Sequence, residues 1–81
     1  MSRMSARFVG QHTGMSTELV YTLWKEMGLV VKDKFGEWVL TSAGRNIGGQ
    51  MSNSSYRPVP TFKLEIIAEQ MLDFCKKHLK K

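Results

Sequence analysis

Apolar positions recur at helical spacing in two long segments of the chain. The first, residues 17–28, predicts a helix that begins after Ser16, a favourable N-cap, and ends at Gly28, a residue typical of helix C-termini. Glu18 in its first turn favours the same start, because the helix dipole attracts an anion there. The apolar stripe of this helix comprises Leu19, Val20, Leu23, Trp24 and Met27. We expect all five to face a core.

The second segment, residues 63–80, predicts the strongest helix of the chain. Its apolar stripe comprises Leu64, Ile67, Ala68, Met71, Leu72, Phe74, Cys75 and Leu79. From Leu64 to Leu79 the helix is ~24 Å long at ~1.5 Å per residue, which is long for so small a core. Part of the stripe is therefore expected to remain uncovered. We predict that it forms a homodimer interface comprising Ile67, Met71, Phe74 and Cys75.

A shorter helix precedes the first long one. Residues 6–12, with Phe8 and Val9 as apolar members, predict a short helix that Ser5 caps and that ends at Gly14. The chain thus begins with a helix, a sharp break and a second helix.

Two strand-like runs follow these helices. Residues 29–31 and 37–40 predict the strands of a two-stranded ribbon, and Gly36 supplies the flexibility that a hairpin turn needs. Trp24 and Trp38 both occupy apolar positions. We expect their rings to lie in the core and to pack on each other across helix and ribbon.

The chain after the ribbon predicts less regular structure. Thr41 or Ser42 caps a short helical turn, which the glycines at 48–49 end. Residues 50–60 are rich in Ser, Asn and Pro, so we interpret them as a loop whose order the sequence leaves open. Residues 59–62 could add a short strand at the edge of a sheet.

These elements predict one α+β domain over residues 1–81. A chain of 81 residues buries only about 60% of the surface that its unfolded form exposes, and it has no material for a second core. Helices and ribbon occupy residues 6–49, the loop 50–60 and the last helix 63–80.

The positive charge is concentrated at one end of the chain. The 12 basic and 7 acidic residues give a formal net charge of +5. Because Lys76, Lys77, Lys80 and Lys81 are four of the basic residues, the remainder carries 8 basic against 7 acidic residues, or +1. The basic end suits either a phosphate partner or the negative end of a helix dipole.

No feature of the sequence indicates export or membrane insertion. No apolar run approaches the ~18 residues of a membrane span, and residues 1–5 lack the apolar centre of a signal peptide. The lone Cys75 cannot form an internal disulfide. We therefore expect a cytoplasmic protein.

Four motifs resemble a known family. They are QHTGMS at residues 11–16, LWKEMGL at 23–29, WVLT at 38–41 and TSAGR at 41–45. Over residues 5–49 they resemble the small winged helix-turn-helix modules of bacteriophage antirepressors and related phage DNA-associated proteins. The resemblance implies DNA binding or regulation in mobile-element biology, with the second helix as reader and the 32–37 hairpin as wing.

The candidate contacts to double-stranded DNA lie on the second helix, on the ribbon and just after it. Helix N-termini and outward polar or cationic side chains can contact phosphates and bases. We predict contacts from Ser16, Thr17, Tyr21, Thr22, Lys25, Lys32, Lys34 and Arg45. The alternative is a protein-interaction module on the same scaffold that modulates a host or phage protein. The near-neutral body, Glu18 and Phe35 at the hairpin tip favour that alternative.

The sequence does not indicate an enzyme, a metal site or a cofactor. Cys75 and His78 have the spacing C-x-x-H, but a zinc site needs three or four ligands. Nucleophilic catalysis would also need oxyanion donors beside the thiol and its base. We therefore expect Cys75 to be a buried structural thiol.

Overall fold

The computed structural model describes residues 3–52 and 58–79 of the chain. Within those ranges the chain forms an α+β fold with four helices and two small antiparallel sheets. In chain order the elements are β1 (Arg3–Ser5), α1 (Ala6–Thr13), α2 (Thr17–Glu26), β2 (Val30–Lys32), β3 (Trp38–Leu40), α3 (Ser42–Asn46), β4 (Gln50–Met51), β5 (Pro60–Lys63) and α4 (Leu64–Leu79).

The two sheets differ in how far apart their strands lie along the chain. β2 and β3 form a hairpin in which Val31 pairs with Val39. The other sheet has the order β1-β5-β4, so that β5 is central and pairs with both neighbours. Met4 of β1 lies opposite Phe62 of β5, which places the start of the described chain beside a strand that is distant in sequence.

The core lies between this three-stranded sheet and the helices. Trp24, Phe62 and Ile67 are its largest fully buried side chains. The ring of Trp24 meets that of Phe62 edge to face, with 4.8 Å between centroids, and its Nε1 donates to the sulfur of Met71 at 3.4 Å. α2, β5 and α4 therefore share one set of contacts, in which aromatic burial supplies much of the stabilisation.

Gly49 lies where the two sheets meet. A Cβ built at this residue would lie 2.6 Å from Cε1 of Phe62 in β5 and 2.9 Å from Cδ2 of Leu40 in β3. Both distances are too short for a real methyl group. The close packing of the two sheets thus requires glycine here.

The first two predicted helices and the two-stranded ribbon are confirmed as secondary structure. α2 begins after Ser16, whose side chain accepts a hydrogen bond from the backbone N–H of Leu19 at 3.1 Å. Gly36 at the hairpin turn has a φ of 78°, in the left-handed region that favours glycine. Thr41 caps α3 by accepting from the backbone N–H of Gly44 at 3.1 Å.

The prediction of a loop over residues 50–60 is wrong at its start, where Gln50–Met51 forms β4. The short strand predicted over residues 59–62 is confirmed as β5, Pro60–Lys63, but it lies at the centre of the sheet and not at its edge. The hydroxyl of Thr61 donates to the backbone carbonyl of Gln50 at 2.7 Å and reinforces this pairing. The loop prediction for residues 53–57 falls outside the residues that the structure describes. The strand Arg3–Ser5 was not predicted.

Two predicted apolar stripes are only partly buried. On α2, Val20 and Trp24 are buried, but Leu19 is 50% exposed. On α4, Ile67 and Met71 are buried, whereas Leu72 is 58% exposed. The predicted stripes are wider than the core that covers them. Among the described residues, no helix combines the length and the apolar character that crossing a membrane requires.

Candidate nucleic-acid interface

The β2–β3 hairpin ends in a turn that hydrogen bonds to the side chain and backbone of Asp33 hold. The Oδ1 atom of Asp33 accepts from the backbone N–H groups of Phe35 and Glu37, each at 2.9 Å. The N–H of Gly36 donates to the carbonyl of Asp33 at 3.0 Å. Because Asp33 holds the turn in this way, its carboxylate serves the hairpin structure, and the tip presents Phe35, which is 76% exposed.

An aromatic stack attaches this hairpin to α2. The ring of Tyr21 lies parallel to that of Trp38 in β3, with an interplanar angle of 5° and 4.9 Å between centroids. Tyr21 also meets Trp24 edge to face at 5.9 Å. Tyr21 therefore lies between the two tryptophans, and the expectation that they pack directly on each other is not what the structure shows.

Burial of Tyr21 changes its predicted role. We expected this side chain to face outward as a DNA contact, but it is half-buried, and the loss of water around its hydroxyl raises its pKa above the ordinary value of 10.0. Its ring is occupied by Trp38 and Trp24. In this fold the ring of Tyr21 joins the hairpin to α2, and a contact between its hydroxyl and DNA stays a prediction.

Two lysines of the hairpin lie over aromatic rings. The Nζ atom of Lys32 is 5.2 Å from the ring centroid of Trp38, and that of Lys34 is 5.3 Å from the centroid of Phe35. Such cation–π contacts are worth about 0.5–1 kcal/mol at exposed sites. They place two cations on the hairpin, one next to the stack and one at the tip.

The exposed side of α2 next to the stack is polar. Thr17, Thr22 and Lys25 are exposed, as predicted for a helix face open to a partner, and so is Glu18. Lys25 follows Tyr21 by four residues and therefore lies on the hairpin side of the helix. Ser16 is also exposed, but its Oγ atom already accepts the capping hydrogen bond.

Arg45 is not brought together with these residues. It is exposed on α3, which follows the end of β3 that is remote from the hairpin turn. There it lines a shallow cavity with Gln50 and Met51 of β4. The structure thus gathers Thr17, Lys25 and the two hairpin lysines around the stack, and it separates Arg45 from them.

A second surface feature involves the apolar stripe of α4, part of which was expected to remain uncovered. An apolar groove of about 340 Å³ runs between the end of α1, α2 and α4. It is lined by Thr13, Met15, Leu23, Ala68, Met71, Leu72 and Cys75. The sequence indicates such a surface through the width of the two apolar stripes. When a stripe is broader than the core that covers it, residues such as Leu72 remain at the surface.

The predicted dimer interface on α4 requires correction. Ile67 and Met71 are buried within the chain's own core, where Met71 also accepts from Trp24. The ring of Phe74 contacts that of His78, with 4.0 Å between centroids. Cys75 is only partly buried and lines the groove, so it is not the fully buried thiol that we expected.

In residues 3–52 and 58–79, no three His, Cys, Asp or Glu side chains lie close enough together to coordinate one ion. Comparison with known proteins adds no assignment: neither protein-family models, curated proteins nor solved structures match this sequence.

Proposed function

We propose that this protein is a small cytoplasmic DNA-binding regulator, of the kind that phages and other mobile elements encode, and that it acts by binding duplex DNA without catalysing a reaction. The observation that carries the proposal is the Tyr21–Trp38 stack, which fixes the lysine-bearing hairpin beside the exposed face of α2. One helix and one β-ribbon then present a single surface.

The order of elements supports a winged helix-turn-helix arrangement. α1 and α2 follow each other across a short break, and the β2–β3 hairpin comes directly after α2. In such an arrangement the second helix enters the major groove and phosphate contacts fix its orientation. The motifs at residues 11–16 and 38–41 agree with this interpretation.

The cations on this surface would supply most of the affinity. Lys25, Lys32 and Lys34 can each neutralise a phosphate and release a bound counterion. Thr17 and Thr22 offer hydroxyl groups to phosphate oxygens or base edges. Glu18 would lie close to the DNA and limit the affinity, because it repels phosphate. We therefore expect weak binding that depends strongly on salt.

Fluorescence anisotropy with a labelled random duplex tests the proposal. Each of Lys25→Ala, Lys32→Ala and Lys34→Ala should weaken binding similarly for all sequences and reduce the slope of log K against log salt by about 1. Lys63→Ala is the matched control, because this exposed lysine belongs to the other sheet. Absence of binding at low salt, or equal slopes for all four variants, would contradict DNA binding.

The exposed Phe35 favours a second candidate, a protein-interaction module that modulates a host or phage protein. A large apolar side chain on a rigid tip is a typical anchor for a protein partner. The same series separates the two functions. A DNA-binding protein loses affinity chiefly through the lysine variants, whereas an interaction module binds no duplex and loses its partner on Phe35→Ala.

A further inference from the structure

The apolar groove lies on a different side of the molecule from the proposed DNA surface. On α2, Leu23 lines the groove, whereas Tyr21 faces the hairpin. Leu19 is half-exposed and precedes Leu23 by four residues, so it extends the apolar surface by one helical turn. A surface of this kind is unfavourable in water and indicates a binding site for an apolar partner.

The exposed edge of α4 beside the groove has an ordered charge pattern. Glu65, Glu69, Leu72 and Lys76 follow at spacings of four, three and four residues, which places them in one row along the helix. All four are exposed. The row is acidic towards the start of α4, apolar at Leu72 and basic towards the end.

We infer that a second copy of this chain occupies the groove, with the two α4 helices crossing antiparallel about a two-fold axis near Leu72. Leu72 both lines the groove and projects from it, so each copy can place this side chain in the groove of the other. A contact of this type is self-complementary, as closed two-fold dimers require.

Charge complementarity selects this occupant and this orientation. Lys76 lies four residues after Leu72, and Glu69 lies three residues before it. An antiparallel crossing at Leu72 therefore brings Lys76 of each copy opposite Glu69 of the other copy, which gives two ion pairs. A parallel crossing would place like charges opposite each other. Apolar burial supplies the affinity, and the ion pairs fix the orientation.

The dimer is independent of the proposed function, since it leaves the Lys25 side of α2 and the hairpin open. If both hold, the dimer presents two DNA surfaces related by the same axis, as two-fold DNA-binding proteins do. If DNA binding fails, the dimer still stands.

Sedimentation equilibrium of the full chain over a concentration series tests the inference. We expect a reversible dimer for the wild type and, for Leu72→Glu, a dissociation constant at least ~100-fold higher, because two leucines leave the interface and two charges replace them. Circular dichroism should show an unchanged fold for this exposed position. Phe35→Glu, the same change at another exposed apolar residue, should leave the dimer intact.

Charge reversal tests the orientation. Glu69→Lys and Lys76→Glu should each raise the dissociation constant by about 2- to 10-fold, and the double variant should return it to the wild-type value. A double variant as weak as the singles would overturn the antiparallel crossing. A wild type that is monomeric at every concentration, or a Leu72→Glu variant as dimeric as the wild type, would overturn the dimer itself.

Discussion

The two sheets of this protein differ in the parts of the chain that they join and in how much of their surface is buried. The β2–β3 hairpin is local in the chain, exposes its tip and carries the lysines of the proposed DNA surface. The β1-β5-β4 sheet joins distant parts of the chain, and its central strand buries Phe62 against Trp24. Because the hairpin strands also place Val30 and Leu40 in the core, only the exposed turn of the hairpin can change at little cost to the fold.

The largest expected effect contrasts Phe62 of β5 with Phe35, which lies in the turn of the hairpin. Phe62→Ala should cost about 3–5 kcal/mol, because it leaves a cavity beside Trp24 and Ile67. That is a large share of the ~5–15 kcal/mol typical of a domain, so we expect loss of cooperative unfolding. Urea denaturation followed by tryptophan fluorescence measures it.

Phe35→Ala is the control for this prediction. The side chain is mostly exposed, and its loss should change the free energy of unfolding by less than about 0.5 kcal/mol. Equal effects of Phe62→Ala and Phe35→Ala on the free energy of unfolding would show that β5 and the hairpin turn do not differ in the way described.

A smaller effect is expected where the two sheets meet. Gly49→Ala would place a methyl group against Phe62 and Leu40 and should lower the free energy of unfolding by about 1–3 kcal/mol. Thermal unfolding by circular dichroism can measure it, with the exposed neighbour Gln50→Ala as control. A Gly49→Ala variant as stable as the wild type would show that the sheets are not packed this closely.

The smallest expected effect is a pH-dependent change in stability that comes from the contact between the hairpin and α2. Because burial raises the pKa of Tyr21 in the folded state, its contribution to stability is complete below pH 10.0 and is lost as the pH rises through the folded-state pKa. Tyr21→Phe removes this titration. When the pH is raised from below to above 10, the denaturation midpoint should fall more for the wild type than for Tyr21→Phe. An equal fall for the two proteins would argue against burial of the hydroxyl.

The difference between local and long-range strand pairing also explains which elements could be predicted from the sequence. α1, α2, the hairpin and α3 have local signals, such as the Ser16 cap and Gly36, and these signals act within a few residues. β1 and β4 have three and two residues and no such signal. They are strands because β5 lies between them, and that pairing is decided by tertiary structure.

The candidate site could be predicted in its composition but not in its arrangement. The hairpin placed Lys32 and Lys34 on one short ribbon, which the spacing around Gly36 already indicated. Tyr21 is half-buried and does not face fully outward, because a helical period puts it at the border between the buried and exposed faces. The ring of Tyr21 is covered because Trp38 of β3 packs against it, and the sequence does not show this position of Trp38.

The pairing of β1 with β5 has a consequence for synthesis of the chain. β1 precedes α1, yet its only strand partner in the described residues is made after most of the sequence has been translated. Until Phe62 and Met71 leave the ribosome, the indole of Trp24 lacks the groups that cover it. β5 and α4, which are made later than the helices and the hairpin, would then cover Trp24 and complete the core.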